Sequence, residues 1–434
     1  MNCGTRVRLL RPSVFACCSW LLLYGAHGNA QAVLDADLGL EYSDNITRVP
    51  TDEQTESVGV ARLTLGYEVM RPRLEGRVGA DLQYRRYLDN TYDNEVLGGA
   101  NALLNWSIVP EHLLWVVEDN YGQIAGDRQL PDTPDNREDF NYFSTGPDVR
   151  LPLGARTVAE VSGRWSDIYY ETSPQGSESA LGRLGLVRLL TTESSASINA
   201  SVEKIRYDEG FDDYRITEGY ARYEATGART TLSVDGGYTT AEHGEKSSSG
   251  PLLRLDLARV ITSRSTFTVR AGTEFADTAQ AFRLSQTAAG VSPQDQDTVA
   301  ATDVFRIYYA YLGLRTERER TSFDVTIYGH EELHETSKEL DRERVGLGFG
   351  WSRHLSPRMD LSVRADYGKE KFDLDDFIFD EWSAGAALGW RLTNSVSLRL
   401  SVDHFDGDGD GTVRDYEENR AFLGVRYSRG QRGG

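Results

Sequence analysis

Cysteine is nearly absent from this 434-residue chain, and its positions exclude a disulfide framework. The three cysteines are Cys3, Cys17 and Cys18, all inside the N-terminal segment. The rest of the chain must therefore be held by backbone hydrogen bonds and packing rather than by covalent cross-links. Catalytic signatures are lacking too, since none of the seven histidines lies in a recognisable nucleophile motif. The sequence predicts a protein that is not an enzyme.

Long apolar runs are lacking everywhere except near the N-terminus. Three arginines precede an apolar stretch at 14–24, and small residues follow at Ala30 and Ala32. This pattern predicts a cleaved signal peptide over 1–32, and a single domain over 33–434. No later run approaches 18 apolar residues, so no transmembrane helix is expected. Membrane residence would then require a closed β-barrel, the other fold that pairs every backbone polar group in lipid.

Positive charge is scarce relative to negative charge. The chain has 47 Lys and Arg against 67 Asp and Glu, a formal net charge of -20. Removal of residues 1–32, which carry three arginines and no acid, makes the charge -23. This balance excludes nucleic acid as a partner, because phosphates require basic contacts. It is compatible with a membrane protein whose charges lie in loops and in a water-filled interior.

Strict alternation of apolar and polar residues is the main pattern that is present. The hairpin at 342–367 shows it most clearly, with a turn at Pro357 between two strands that are longer than ordinary soluble strands. Its apolar face, expected to contact lipid, carries Val345, Leu347, Phe349, Trp351, Met359, Leu361, Val363, Ala365 and Tyr367. Its polar face, expected to line the lumen, carries Gly346, Gly348, Gly350, Ser352, Asp360, Ser362, Arg364 and Asp366.

The connections between strand-like segments alternate in length. Short ones, such as those at 71–72, 226–228 and 393–395, are expected to be periplasmic. Long polar ones, expected to be extracellular, lie at 44–56, 124–139, 241–249, 278–303, 332–340 and 406–418. The sequence therefore predicts an all-β, antiparallel, up-and-down transmembrane barrel of about 18–20 strands in the outer membrane of a Gram-negative cell envelope.

Aromatic residues near strand ends predict interfacial belts, although ordinary β-propensity would also place them in strands. The expected belt residues include Tyr84, Tyr87, Trp106, Trp165, Tyr170, Tyr207, Trp390, Phe405 and Tyr427. Alternation also gives the polar face of other strands. The predicted lumen-lining residues are Glu160, Arg164, Arg270, Glu274, Asp360, Arg364, Asp366, Arg399 and Asp403.

Two short motifs could bind metals. His330-Glu331-Glu332-Leu333-His334 matches a zinc motif that requires a helix, although a charged external loop is the stronger interpretation. The acidic loop at 406–417 matches a calcium loop, but alternating strands flank it where an EF-hand has helices. Its predicted ligands are Asp406, Asp408, Asp410, Thr412 and Glu417. The alternative for this loop is a flexible acidic tip, and no other cofactor is expected.

The chain resembles a family of outer-membrane β-barrels of the porin type encoded with exopolysaccharide and PEP-CTERM sorting systems. The resemblance rests on the signal peptide, the opening strand that ends in Gly39-Leu40-Glu41-Tyr42-Ser43-Asp44-Asn45-Ile46, the repeated hairpins, and the last strand at 420–427. It implies a conduit or accessory component for exopolysaccharide export, with outer-membrane lipid, exopolysaccharide and periplasmic export components as partners. The alternatives are a general diffusion porin, a structural or surface-binding barrel without transport, and, more remotely, a barrel hydrolase.

Overall fold

The computed structural model describes residues 30–208, 212–278, 280, 294–299, 303–372, 377–409 and 414–429, which include 21 β-strands. The strands are β1 (Ala30–Ser43), β2 (Glu56–Arg71), β3 (Leu74–Tyr87), β4 (Glu95–Val109), β5 (Leu113–Ala125), β6 (Arg137–Gly154), β7 (Thr157–Tyr170), β8 (Ser177–Leu189), β9 (Ser194–Tyr207), β10 (Tyr214–Thr226), β11 (Thr230–His243), β12 (Lys246–Thr262), β13 (Ser265–Ala276), β14 (Gln294–Val299), β15 (Phe305–Arg318), β16 (Thr321–His334), β17 (Arg342–Ser356), β18 (Met359–Phe372), β19 (Phe377–Arg391), β20 (Val396–Asp408) and β21 (Tyr416–Arg429). Single-turn 3-10 helices lie at Pro134–Asn136 and Lys338–Leu340. No helix of these described ranges is long and apolar enough to cross a membrane.

Twenty of the strands form one closed antiparallel ring. Each strand pairs with its neighbours in the chain, β13 pairs with β15, and β21 pairs with β1 in the register Leu38↔Val425. The remaining strand, β14, pairs in parallel with the end of β5. Because closure leaves no free edge, each spanning strand has hydrogen-bonding partners on both sides. The predicted all-β, up-and-down barrel is confirmed, at the upper end of the expected strand number.

The outer face of the ring is an apolar band. Leu38, Ile198 and Leu423 expose 66%, 72% and 60% of their surface, which a water-soluble protein would bury. On β19, Trp382 and Trp390 are both exposed and lie eight residues apart. Eight residues of a tilted strand rise about 20 Å, close to the height of the lipid-facing band in outer-membrane barrels. The protein is an integral outer-membrane β-barrel.

Several predicted belt residues face the interior instead. Tyr87 and Tyr170 are buried in apolar clusters inside the barrel, and Tyr207 packs against a third cluster. Phe405 contacts the guanidinium groups of two arginines. Alternation along the strand explains why some of these residues face inward. Tyr169 and Tyr170 must point to opposite faces, and it is Tyr169 that is exposed.

The two ends of the ring differ in their connections, as the sequence predicts. One end has nine short turns, and the other carries most of the long connections. The predicted long connection at 241–249 is wrong, because β11 and β12 extend and meet in a turn at 244–245. Gly244 has φ of 57°, which glycine adopts without steric cost. By the rule for outer-membrane barrels, the short-turn end faces the periplasm and the long-loop end faces outward.

Candidate functional site

The inner wall carries a lattice of cross-strand ion pairs. Arg222 Nε lies 2.6 Å from Asp235 Oδ1, and Arg254 Nη2 lies 2.6 Å from Glu274 Oε2. Both of these pairs join strands that are neighbours in the ring, so opposite charges compensate each other's desolvation. The wall thus alternates in sign over short distances instead of presenting one charge. Further pairs are Arg62–Asp81, Arg85–Glu41, Arg150–Glu160, Arg164–Asp148, Arg270–Asp256, Arg364–Asp403 and Arg426–Asp37.

The nine predicted lumen residues lie on the strand faces opposite to the apolar rows, and most belong to this lattice. Asp366 lies beside Gly348, and Asp360 and Arg399 line a cavity near the short-turn end. Those in ion pairs are Glu160, Arg164, Arg270, Glu274, Arg364 and Asp403. Sequence alone does not give their partners, because alternation fixes the face of a residue but not the register between strands.

Arg164 has a structural role that alternation does not reveal. Pro147 interrupts β6 in mid-strand, and the β6–β7 ladder skips the positions of Gly146 and Pro147. A proline has no N–H to donate, which would leave a carbonyl in the wall without a partner. The Arg164 guanidinium donates to Gly163 O at 2.7 Å and to Pro147 O at 3.1 Å. The side chain therefore replaces the missing ladder bond from inside the barrel.

The long-loop end is closed by a loop that reaches the opposite wall. Arg128, between β5 and β6, places Nη1 3.0 Å from Glu332 Oε2 on β16, and the two side chains are 5% and 3% exposed. Glu332 also pairs with Arg342 at 3.0 Å, and Arg342 pairs with Glu370. Burial, together with the nearby charge of Arg342, lowers the pKa of Arg128 to about 10. We call these four side chains the Arg128 cluster.

The Arg128 cluster implies that the ring is narrowed at this end. From β5 to β16 there are ten strand-to-strand steps in either direction, so the two strands lie on opposite sides of the ring. A circular barrel of twenty strands tilted by about 40° would be roughly 40 Å across. Arg128 is three residues beyond β5, which together with its side chain reaches only about 17 Å. The walls at β5 and β16 must therefore approach each other.

Other loops add to the closure. Arg48 lies 3.0 Å from Glu418, and both are buried. Asp303 accepts a hydrogen bond from Tyr214 at 2.6 Å and two more from the backbone N–H groups of Thr336 and Ser337. Beneath these polar contacts, inward apolar side chains pack into clusters. The long-loop end is thus both ion-paired and apolar, as a closed structure requires.

The loop that carries Arg128 is itself fixed in shape. Asn136 Nδ2 donates to the carbonyls of Asp127, Leu130 and Pro131. Burial acts to raise the pKa of Asp132, but Arg137 at 2.7 Å outweighs it, so that pKa is held below its ordinary value. The closing loop therefore has an acid-sensitive anchor of its own.

The predicted zinc motif lies at the end of strand β16, so both the helix that zinc would require and the favoured charged external loop are wrong. His330, Glu332 and His334 follow one another on the buried face of β16, and the carboxylate of Glu332 is occupied by two arginines. Over the described ranges, no group of three or more His, Cys, Asp or Glu side chains is arranged to hold a metal ion. The residues of the motif belong to the Arg128 cluster and its surroundings.

Of the five predicted calcium ligands, Asp410 and Thr412 lie outside the described residues. Asp406 pairs in register with Glu417 between β20 and β21, and Asp408 is the last residue of β20. Gly409 N–H donates to Asp415 Oδ1 at 2.7 Å. Calcium binding by this loop stays a prediction.

The short-turn end is open to cavities. One, of about 510 Å³, is lined by residues from β1, β18, β19, β20 and β21. Another of about 510 Å³ lies along β4 to β9. A third, of about 480 Å³, is lined by parts of the ion-pair lattice on β10, β12 and β13 and extends to Gln280, in a connection of the long-loop end. The interior is therefore hollow and polar on the short-turn side of the closed mouth.

No protein-family model matches the chain, and no curated protein sequence matches it. Solved structures with a similar fold include the siderophore receptor PirA from Pseudomonas aeruginosa, at 10% identity and a TM-score of 0.45, over 93% of this chain and 81% of that chain. The FrpB iron transporter from Neisseria meningitidis is similar at 10% identity and a TM-score of 0.45, over 94% and 82%. PirA from Acinetobacter baumannii matches at 7% identity and a TM-score of 0.47, over 93% and 81%.

Proposed function

We propose that this barrel is a conduit or accessory component for exopolysaccharide export, and that it is not an enzyme. The observation that carries the proposal is a hollow interior, lined by paired charges and hydroxyls, that ends at a mouth closed by loops. Paired charges hydrogen-bond to sugar hydroxyls without holding a strong field, so a glycan can bind weakly and leave again. A closed mouth keeps small solutes from leaking when no polymer passes.

Inward tyrosines belong to the wall itself, because Tyr220 and Tyr309 are only 4% and 7% exposed. Tyr220 lies between two arginines, each with its guanidinium carbon 5.6 Å from the ring centroid. Tyr309 donates a hydrogen bond to Glu274 at 3.1 Å. These rings hold the charged side chains of the wall in place, and in this proposal the contacts to sugars come from the paired charges and hydroxyls.

Closure of the mouth also favours a second candidate, a structural or surface-binding barrel without transport. A general diffusion porin is less well supported, because it needs a mouth that is continuously open. Deletion of the gene, with measurement of secreted polysaccharide, tests the first proposal. Normal secretion would contradict export, and a steady large conductance of the purified barrel in planar bilayers would favour the porin.

A further inference from the structure

Charge is distributed very unevenly between the two ends of the barrel. Each connection is defined here as the residues between two strands together with the one strand residue that flanks them on either side. By sequence, the nine short turns contain nine arginines and three glutamates, a net charge of +6, and no lysine. The ten connections of the opposite end contain 29 acidic and eight basic residues, a net charge of -21. The acidity of the chain therefore lies in its external connections, while the periplasmic mouth is basic.

A cavity of about 510 Å³ opens inside this basic mouth. Its lining includes four arginines, two aspartates and several hydroxyl groups. The arginines are Arg391, Arg399, Arg426 and Arg429, and the aspartates are Asp35 and Asp360. Arg426 is already paired with Asp37 at 2.7 Å, so its charge is compensated within the wall.

Arg399, like Arg183 and Arg391, is a cavity-lining arginine outside the ion-pair lattice. Within the part of the chain that the structure describes, no carboxylate forms an ion pair with its guanidinium, whereas Arg426 on the neighbouring β21 and Arg364 on β18 each have one. Its side chain is half-buried and faces the cavity together with the hydroxyls of Ser397 and Ser428. An arginine presents a planar fork of donors that matches a carboxylate or a phosphate. The lattice thus leaves the donor fork of Arg399 without a carboxylate, at the place where a periplasmic ligand would arrive.

We propose that the periplasmic mouth binds the carboxylate or phosphate groups of an acidic glycan, with Arg399 as the central contact. This inference rests on the proposed function and adds the charge of the polymer to it. A phospholipid headgroup is a poorer fit, because Arg399 faces the interior and the bilayer lies outside the wall. Hydroxyls beside the guanidinium supply contacts to the neutral part of the sugar, and the basic turns raise the local concentration of a polyanion.

The test uses the purified full barrel in detergent and two fluorescent probes, an oligogalacturonate and a neutral maltooligosaccharide of equal length. We expect the acidic probe to bind at least tenfold more tightly than the neutral one at low salt. Arg399→Gln should weaken the acidic probe about tenfold, and Arg399→Lys by less. Arg353→Gln is the matched control, because Arg353 lies at the same end on the outward face, and it should change binding less than twofold.

Equal binding of both probes, or unchanged binding by Arg399→Gln, would overturn the inference. If Arg399→Gln does not assemble, Arg399→Lys decides, since unchanged affinity with the fork removed also contradicts it. Displacement of the acidic probe by phosphate at millimolar concentration would assign the site to phosphate, and resistance would assign it to uronate; either supports an acid-binding mouth. If the acidic probe does not bind but deletion of the gene reduces secretion, only this inference is refuted. If the probe binds but deletion leaves secretion normal, only the export function is refuted.

Discussion

The two mouths of the barrel are formed by the same strands, but one is closed by loops and the other is open. At the long-loop end, acidic connections fold inward and join opposite walls through the Arg128 cluster. At the short-turn end, connections of a few residues cannot reach the lumen, and the interior stays open to cavities lined by arginine and hydroxyl groups. The difference shows that a mouth closes where long connections meet inward charged and apolar side chains at the strand ends.

This contrast assumes a wall that spans the membrane, and the largest expected effect tests that assumption. Leu347 lies in the middle of the outward apolar row of β17, between Val345 and Trp351, and is exposed. Leu347→Arg should abolish assembly, because an arginine at the midplane costs about 2–4 kcal/mol. Gly348→Arg, one residue away, should assemble, since its side chain would point inward beside Asp366. Heat-modifiable gel mobility of membrane fractions gives the measurement, and equal tolerance would contradict the barrel orientation.

Release of the closing loop should remove the difference between the two mouths. Arg128→Ala leaves Glu332 with one buried partner fewer, and loss of one member of a buried pair costs about 3–5 kcal/mol. We expect the loop to detach and single-channel conductance to rise several-fold. The control is Arg215→Ala, an exposed arginine at the same end with no contact across the barrel. An unchanged conductance of Arg128→Ala would show that other loops close the mouth alone.

The interruption of β6 at Pro147 tests how much Arg164 contributes to the stability of the barrel wall. Arg164→Met should lower the free energy of unfolding by about 1–3 kcal/mol, because it leaves a wall carbonyl without a donor. Arg270→Met removes a partly exposed pair with Asp256 and should cost about 1 kcal/mol or less. Urea unfolding in detergent measures both. In a Pro147→Ala background the N–H returns, so the effect of Arg164→Met should shrink; an equal effect would contradict the replacement of the ladder bond.

Acid should destabilise the closed mouth, with a smaller effect than the substitutions above. The pKa of Asp132 is held below its ordinary value by Arg137, so this anchor contributes fully above about pH 4, the pKa of an unfolded aspartate, and is lost as the pH falls through the folded value. Channel openings in planar bilayers should become more frequent below about pH 4. In Asp132→Asn the openings should be frequent at neutral pH and lose this pH dependence. Identical pH profiles for the two proteins would contradict the role of Asp132.

The sequence predicts the wall of the barrel but not the closure of its long-loop mouth. Strict alternation at 342–367 was enough to assign both faces of the hairpin, because a strand has a period of two. The same rule, applied to Tyr169 and Tyr170, would have separated belt residues from interior ones. The pair of Arg128 and Glu332 joins positions 204 residues apart and depends on the path of a loop, which has no period. The anion site at Arg399 depends equally on register, since only the pairing of its neighbours shows that no acid is left for it.

The loop that carries Arg128 ties the size of the barrel to the length of one connection. Barrels can enlarge by duplication of a hairpin, which adds roughly 10 Å to the circumference. Such an insertion on either side of β5 would move Glu332 out of reach of a loop that already extends only three residues beyond its strand. A descendant of this protein with 22 strands would need a longer loop in the same step, or it would lose its closed mouth. The number of strands is therefore constrained by the length of the loop that carries Arg128, and this constraint is not apparent from any single hairpin.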